Sequence, residues 1–232
     1  MPSDPFTTEL LQELARFSTC VVASAIETFV ERLRNVGFSN ASIHSMFPEM
    51  PPVVGYAVTA RIRASEPPME GRRYYDHTEW WNELLTIPAP RIVVIEDLDE
   101  PAGLGAFVGE VHAKILQRLG CAALVTNGGV RDLPAMQKMG FSMFAGNVAV
   151  SHVYAHIFDF GGPVRVAGLE VRRGDLIHAD LHGVQTIPAS IATKIPAVAQ
   201  DILQKRKLVT DFCESPDFSL GTLRKKVMEI ES

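Results

Sequence analysis

From residue 7 to 34, Leu10, Leu11, Leu14, Phe17, Val21, Val22, Ala25, Ile26, Phe29 and Leu33 recur at near-helical spacing, which predicts helix across that stretch. Ser18-Thr19 interrupts it, and Thr19 is expected to cap the second of two helices. Residues 46–54 (MFPEMPPVV) carry three prolines and read as a connector. GYAVTARIRA (55–64) then alternates apolar and polar positions, the signature of a strand.

RIVVIEDLD (91–99) and CAALVTN (121–127) are nearly unbroken apolar runs, as strands buried on both faces tend to be. Between them PAGLGAFVGE (101–110) leads into a helix expected over roughly 110–119. After the second run, the turn GGVRD (128–132) enters a short helix ending near Gly140, and FSMFAGNVAV (141–150) reads as another strand. This β-α-β-α-β rhythm predicts an α/β core with parallel pairing. From Gly161 to Pro188 the pattern changes: VRVAGLEV, GDLIHAD and GVQTIP are short strands punctuated by Gly and Asp, suited to antiparallel hairpins. Helices follow over about 196–207 and 219–230. One domain accounts for the chain: N-terminal helices over 7–34, a core over about 53–190, and C-terminal helices over about 196–230. The stretch 66–90 stands apart, with prolines at both ends and both tryptophans inside. Tyr74, Tyr75, Trp80, Trp81, Leu84 and Leu85 suit the apolar side of a short helix, packed on the core or serving as a lid or subunit contact.

Composition adds constraints. A chain of 232 residues with 47% hydrophobic and 21% charged residues can bury a core without disulfides. A net charge of -5 argues against nonspecific binding of nucleic acid, which needs a basic face. Three widely spaced cysteines, Cys20, Cys121 and Cys213, read as reduced thiols. No apolar run approaches the ~18 residues of a membrane span, and no signal segment opens the chain. The expectation is a soluble, cytoplasmic protein without membrane or nucleic-acid partners.

Three segments carry candidate chemistry. In LVTNGGVRDLPAMQKMG a buried strand meets two glycines and a helix start. Glycine permits close backbone approach, a helix N-terminus favours anions, and Arg131 offers a fork for a carboxylate or phosphate. Asp132 offers a hard oxygen for Mg2+ or Mn2+. The competing reading is an ordinary turn in which Asp132 caps the helix and Arg131 is its ion-pair partner. In LGAFVGEVHAKIL a glycine-containing loop opens a helix at Glu110, either a favourable N-terminal acid or a group facing a metal and its waters. In GDLIHADLHGV, His178, Asp180 and His182 share one side of an extended strand near Asp175, as a metal cluster or as hairpin polarity. His152 and His156 would share a helix face, but the Glu of a zinc HExxH pair is missing. The chain has no GxSxG, GxGxxG or GxxxxGK[ST], and no lysine stands inside an apolar strand where burial would prepare it for imine formation.

The segment GEVHAKILQRLGCAALVTNGGVRDLPAMQKMGF, with GYAVTARI, GNVAVSHVYAHI and GDLIHADLHGVQTIP around it, resembles the RraA-like family. That family includes metal-dependent class II 4-hydroxy-4-methyl-2-oxoglutarate / 4-carboxy-4-hydroxy-2-oxoadipate aldolases, regulators of ribonuclease E activity, and members once misnamed demethylmenaquinone methyltransferases. Its aldolase signature is an Asp, twenty intervening residues, and Arg-Asp; here Glu110 is followed by twenty residues and then Arg131-Asp132. The resemblance implies that Arg131 holds a pyruvyl carboxylate and Asp132 the divalent metal. It further implies that Gly105–Glu110, with Val108 and Gly109, forms an amide loop for substrate, with Glu110 near the metal. It implies Mg2+ or Mn2+ as cofactor and a 2-oxo acid substrate cleaved through a pyruvate enolate, with oxaloacetate decarboxylation alongside. It also implies a β/β/α layered, swivelling-domain-like α/β fold assembled as homotrimers or homohexamers. A non-catalytic, protein-binding regulator is the alternative. Glu110, Asn127 and His182 each replace an Asp found in many members, departures that bear on the substrate more than on the enolate chemistry.

Overall fold

The computed structural model describes residues 6–68 and 78–231; Tyr74 and Tyr75 lie outside the described residues. Two helices, α1 (Thr8–Leu14) and α2 (Thr19–Glu27), precede a two-residue strand β1 (His44–Ser45) and the long β2 (Val53–Arg63). Then come α3 (Thr78–Leu85), β3 (Arg91–Asp97), α4 (Glu110–Arg118), β4 (Cys121–Val130), α5 (Leu133–Met139) and β5 (Ser142–Val148). The short strands β6 (His156–Phe160), β7 (Val164–Val166), β8 (Leu169–Val171), β9 (Leu176–Asp180) and β10 (Gly183–Ile187) lead to α6 (Ile195–Cys213) and α7 (Leu220–Glu231).

The main sheet runs β1-β5-β4-β3-β2-β9-β10, with β6 also paired to β2. β2, β3, β4 and β5 are mutually parallel, whereas β1, β6, β9 and β10 join antiparallel. The apolar run of β3 is explained by what covers it. Val93 and Ile95 face one core with Leu14, Val22, Leu116 and Met136 from the helices. Ile92 and Val94 face the other, with Val164, Val166, Leu169 and Val171 of the β7–β8 hairpin. A strand alternates its side chains between faces, so burial on both requires apolar residues at every position. The result is the expected layering: hairpin, sheet, helices.

Several elements depart from the pattern-based expectation. Ser18, not Thr19, caps α2, its hydroxyl accepting from the Val21 N–H. The helix ends at Glu27 rather than continuing to 34. Thr28 Oγ1 donates to the Ala25 carbonyl, and Val30 turns to φ 56°. Val30 and Leu33 are exposed, so the helical spacing there has no core beneath it. β4 does not stop at Asn127 but pairs on to Val130, with a bulge between Thr126 and Gly129. His152 and His156 share no helix: His156 begins β6. The helix expected over 196–207 extends to Cys213, its outer face carrying the i, i+4 ion pairs Lys205–Asp201 and Lys207–Asp211. Within 66–90, α3 buries Trp80 and Leu84 while Leu85 is exposed. Cys121 lies in the core, where burial pushes its thiol up to about 12. Among the described residues no helix is long and apolar enough to cross a membrane.

Candidate active site

The site is built where β3 and β4 end. The bulge in β4 places Asn127 so that its Oδ1 accepts from the Asp97 N–H (2.8 Å) and its Nδ2 donates to the Asp97 carbonyl (2.9 Å). An Asp at 127 could accept from the first group but would face the second with another acceptor. The amide at this position is therefore suited to pinning the two strand ends together. Asp97 in turn accepts from the Gly103 N–H (2.8 Å) and the Asp99 N–H (3.1 Å). Burial raises the Asp97 pKa, these N–H groups partly offset that rise, and the nearby Asp99 charge adds to it.

This anchors the start of the loop that runs to α4. Ala106 forms a parallel bridge to Gly129 and donates to the Ser151 carbonyl (3.0 Å). A Cβ on Gly105 would lie 2.6 Å from the His152 carbonyl oxygen, and one on Gly129 would lie 2.8 Å from the Ala149 Cβ. Both glycines are therefore required by close backbone approach. Phe107 and Val108 are buried, and the Phe107 ring packs edge-on against Trp80 of α3 and His112 of α4. The loop is thus held at both ends and from beneath.

Asp132 adopts the left-handed conformation (φ 57°, ψ 34°) and stands at the N-cap position of α5 without a side-chain bond to that helix. Its Oδ2 accepts instead from the backbone N–H of Glu110, the first residue of α4, at 2.9 Å. Its Oδ1 pairs with Arg131 Nε at 3.3 Å. The Arg131–Asp132 ion pair of an ordinary turn is present, but the carboxylate serves a different helix from the one it introduces. Arg131, Asp132, Glu110 and Gly109 are therefore brought together as the spacing suggested. The Asp132 pKa is lowered, chiefly by the Glu110 N–H against a smaller cost of burial, and further by Arg131 and the His152 charge. The group is an anion throughout the neutral range.

His152 completes the arrangement. Its Nδ1 lies 2.6 Å from the Ala106 carbonyl oxygen; a carbonyl can only accept, so Nδ1 carries the proton. The other edge of the ring faces Gly109, where a Cβ would lie 3.1 Å from His152 Cε1, 3.3 Å from Nε2 and 2.9 Å from Asp132 Oδ2. No local pattern announces this role, because His152 joins the site only through the loop from β5 to β6.

The donor set tests the expected metal. Among the described residues no group of three or more His, Cys, Asp or Glu side chains is poised around one point, which does not suit a closed zinc site. Among the described residues each Asp132 oxygen accepts one hydrogen bond and retains acceptor capacity, and exposed Glu110 starts the helix that Asp132 caps. One or two carboxylates plus water and substrate oxygens are what Mg2+ uses, so Asp132, with Glu110 beside it, fits Mg2+ or Mn2+. Arg131 uses only its Nε among the described residues, leaving the paired terminal nitrogens for an anion.

The third candidate segment has a structural explanation. His178 is fully buried, with Nε2 3.2 and 3.1 Å from the carbonyls of Leu14 and Phe17 at the end of α1. Asp180 Oδ2 accepts from the Thr19 N–H (2.8 Å), and Oδ1 accepts from the Thr19 hydroxyl (2.5 Å). The same Oδ1 accepts from the His182 N–H (2.8 Å) and meets its Nδ1 at 3.1 Å. Neighbouring side chains on one strand thus hold the C-terminus of α1 and the N-terminus of α2. Asp175 accepts from the Arg172 N–H within its own turn.

Comparison with known proteins agrees with this architecture. The family model described as RraA-like (Aldolase/RraA) matches residues 19–185. A Halalkalibacterium halodurans protein named "Putative 4-hydroxy-4-methyl-2-oxoglutarate aldolase" is 29% identical over 103 residues, covering 44% of this chain and 46% of that protein. The aligned part is thus less than half of that relative. An uncharacterized protein from Pseudomonas syringae shares the fold with a TM-score of 0.75 at 16% identity, over 99% of this chain and 97% of that one. Streptomyces coelicolor RraAS2, described as an unusual member of the RNase ES inhibitor RraA protein family, gives 0.68 at 21% identity, over 89% of this chain and 98% of that one. With its family signature spanning the sheet, the loop before α4 and the β9–β10 hairpin, the chain belongs to the RraA-like (Aldolase/RraA) family.

Proposed function

We propose that the chain is a divalent-metal-dependent lyase that cleaves a carbon–carbon bond of a 4-hydroxy-2-oxo acid, with oxaloacetate decarboxylation as a second activity. The carrying observation is the meeting of Arg131, the Asp132 carboxylate and the N-terminus of α4 at one point, fixed by the 2.9 Å bond from the Glu110 N–H to Asp132. The RraA-like family contains both aldolases and ribonuclease E inhibitors, and this junction supports the enzymatic branch. A regulator acting by protein contact needs no carboxylate aimed at a helix N-terminus beside a half-exposed guanidinium.

Each residue has a chemical task. The terminal nitrogens of Arg131 bind the substrate carboxylate in bidentate fashion. Asp132 would hold Mg2+ or Mn2+, which when bound would supply positive charge to stabilise the developing enolate. Glu110, exposed at the first position of α4, takes the proton from the 4-hydroxyl as the bond to C3 breaks. The enolate charge develops beside Arg131 and the first-turn N–H groups of α4, a preorganised positive environment. Loss of CO2 from oxaloacetate places the same charge in the same position. Exposed Leu104, Val111, Val148 and Val150 surround this end of the molecule and suit a subunit contact, as a homotrimer or homohexamer would provide.

The test is pyruvate release from oxaloacetate and from 4-hydroxy-4-methyl-2-oxoglutarate, with Mg2+ or Mn2+ and after chelation. Release that depends on the cation is expected with at least oxaloacetate. No release from either compound with either cation rejects the lyase and leaves the protein-binding regulator.

A further inference from the structure

A cavity of about 400 Å³ lies at the opposite end of the sheet from Arg131. Tyr56 and Arg91 are register partners where β2 and β3 begin, whereas Asp97 and Arg131 mark the other end of the parallel strands. Arg32, Tyr56, Arg173 and Asp175 line it, with apolar wall from Phe6 and Ile187 among others.

Its polar groups are mostly donors with capacity to spare. Arg32 is half-buried, and its Nη1 donates to the Thr186 carbonyl (2.8 Å) and hydroxyl (3.0 Å). No carboxylate among the described residues forms an ion pair with it, and burial lowers its pKa despite the Glu27 charge. The guanidinium lies close against Gly37, at φ +86°, where any Cβ would collide with it. The Tyr56 oxygen accepts from the Phe6 N–H (2.6 Å), so its own hydrogen points elsewhere and meets no acceptor among the described residues. Arg173 engages Glu83 and Thr86 through Nε and Nη2, leaving Nη1. Asp175 opposes these charges, but its Oδ2 is turned to the Arg172 N–H at 2.8 Å. Glu83 balances Arg173, so Arg32 is the lining guanidinium without a paired carboxylate among the described residues. A half-buried cation without a directly paired carboxylate gives up part of its hydration uncompensated, and a bound anion would relieve that cost.

We propose that this cavity binds a small carboxylic acid with an apolar body, its carboxylate on Arg32 and the Tyr56 hydroxyl and its body against Phe6 and Ile187. The planar fork of Arg32 matches a carboxylate, and the volume falls within the range of small-molecule sites. The site is separate from the Arg131 junction, so its occupant is an effector or a second ligand rather than the substrate.

Titration calorimetry with the full chain tests this, using phenylacetate, uncharged phenylacetamide and inorganic phosphate. Phenylacetate should bind saturably, and both other probes should bind at least about tenfold more weakly, since one lacks the charge and the other the apolar body. Arg131→Ala should leave binding intact. Arg32→Gln should weaken it about tenfold or more. Ala189→Trp, at an exposed wall position, should abolish binding without disturbing the core and serves if Arg32→Gln lowers the melting temperature. Absence of saturable binding, equal binding of phenylacetamide or phosphate, or binding lost in Arg131→Ala but retained in Ala189→Trp would overturn the assignment.

Discussion

At Gly109 a single hydrogen separates the Asp132 carboxylate from the His152 ring. A methyl group there would lie 2.9 Å from Asp132 Oδ2 and 3.1 Å from His152 Cε1, so one of them must move. Gly109→Ala is expected to displace the carboxylate from the Glu110 N–H and lower kcat/KM for oxaloacetate by about tenfold or more, a cost of roughly 1.4 kcal/mol or above, with little change in melting temperature. Unchanged kinetics would mean that the position of Asp132 is not critical. His178 makes a different prediction. Burial lowers its pKa, and only partly do the Leu14 and Phe17 carbonyls and the Asp180 charge oppose this. The unfolded chain therefore binds the proton more readily, and stability falls as pH drops below the ordinary histidine value of about 6.5. In His178→Gln the slope of melting temperature between about pH 5 and 7 should flatten; an unaltered slope would assign it to another group. That Arg131, Asp132 and Glu110 lie together was legible from the sequence through their spacing and the family signature. His152 was not, because no periodicity links it to Gly109, and only the return of the loop before β6 brings them together.

At the scale of elements, runs such as RIVVIED and CAALVTN announced buried strands because both faces of the sheet are covered. Two glycines misled the boundary of β4. Read locally, Gly128-Gly129 is a turn, yet Gly129 pairs with Asn147 and bridges to Ala106, and tertiary partners extend the strand. The second helix erred in the opposite direction: apolar spacing continued to Leu33, but no core lay beneath it. His178 and Asp180 were legible as a cluster but not as a clamp, since their partners sit about 160 residues earlier in the chain. Asp180→Ala would strip the N-terminus of α2 of its buried acceptor and should cost about 2 kcal/mol or more in denaturant unfolding at neutral pH. Burial alone would raise the Asp180 pKa, but the Thr19 hydroxyl, the His182 N–H and the Thr19 N–H outweigh it and the value is lowered. A depressed folded pKa gives stability that is full above the ordinary carboxylate value and lost as pH falls through the folded value. The difference between wild type and variant should therefore shrink below about pH 4. A difference that does not depend on pH would contradict the charged clamp.

For the whole molecule, the layers follow from the distribution of apolar positions: the β7–β8 hairpin on one face of the sheet and the helices on the other. In such sheets ligands gather at the carboxyl ends of the parallel strands, the end where Asp97 and Arg131 lie. One end carries Arg131, Asp132 and the N-terminus of α4, and the other carries the cavity of Arg32 and Tyr56. The central claim is that the first of these performs carbon–carbon cleavage, with Arg131 binding the substrate carboxylate. Steady-state turnover of oxaloacetate with saturating Mg2+ tests it in wild type and in Arg131→Ala, with melting temperatures measured alongside. Loss of most turnover in a folded variant is the predicted result. Turnover near the wild-type level would contradict it.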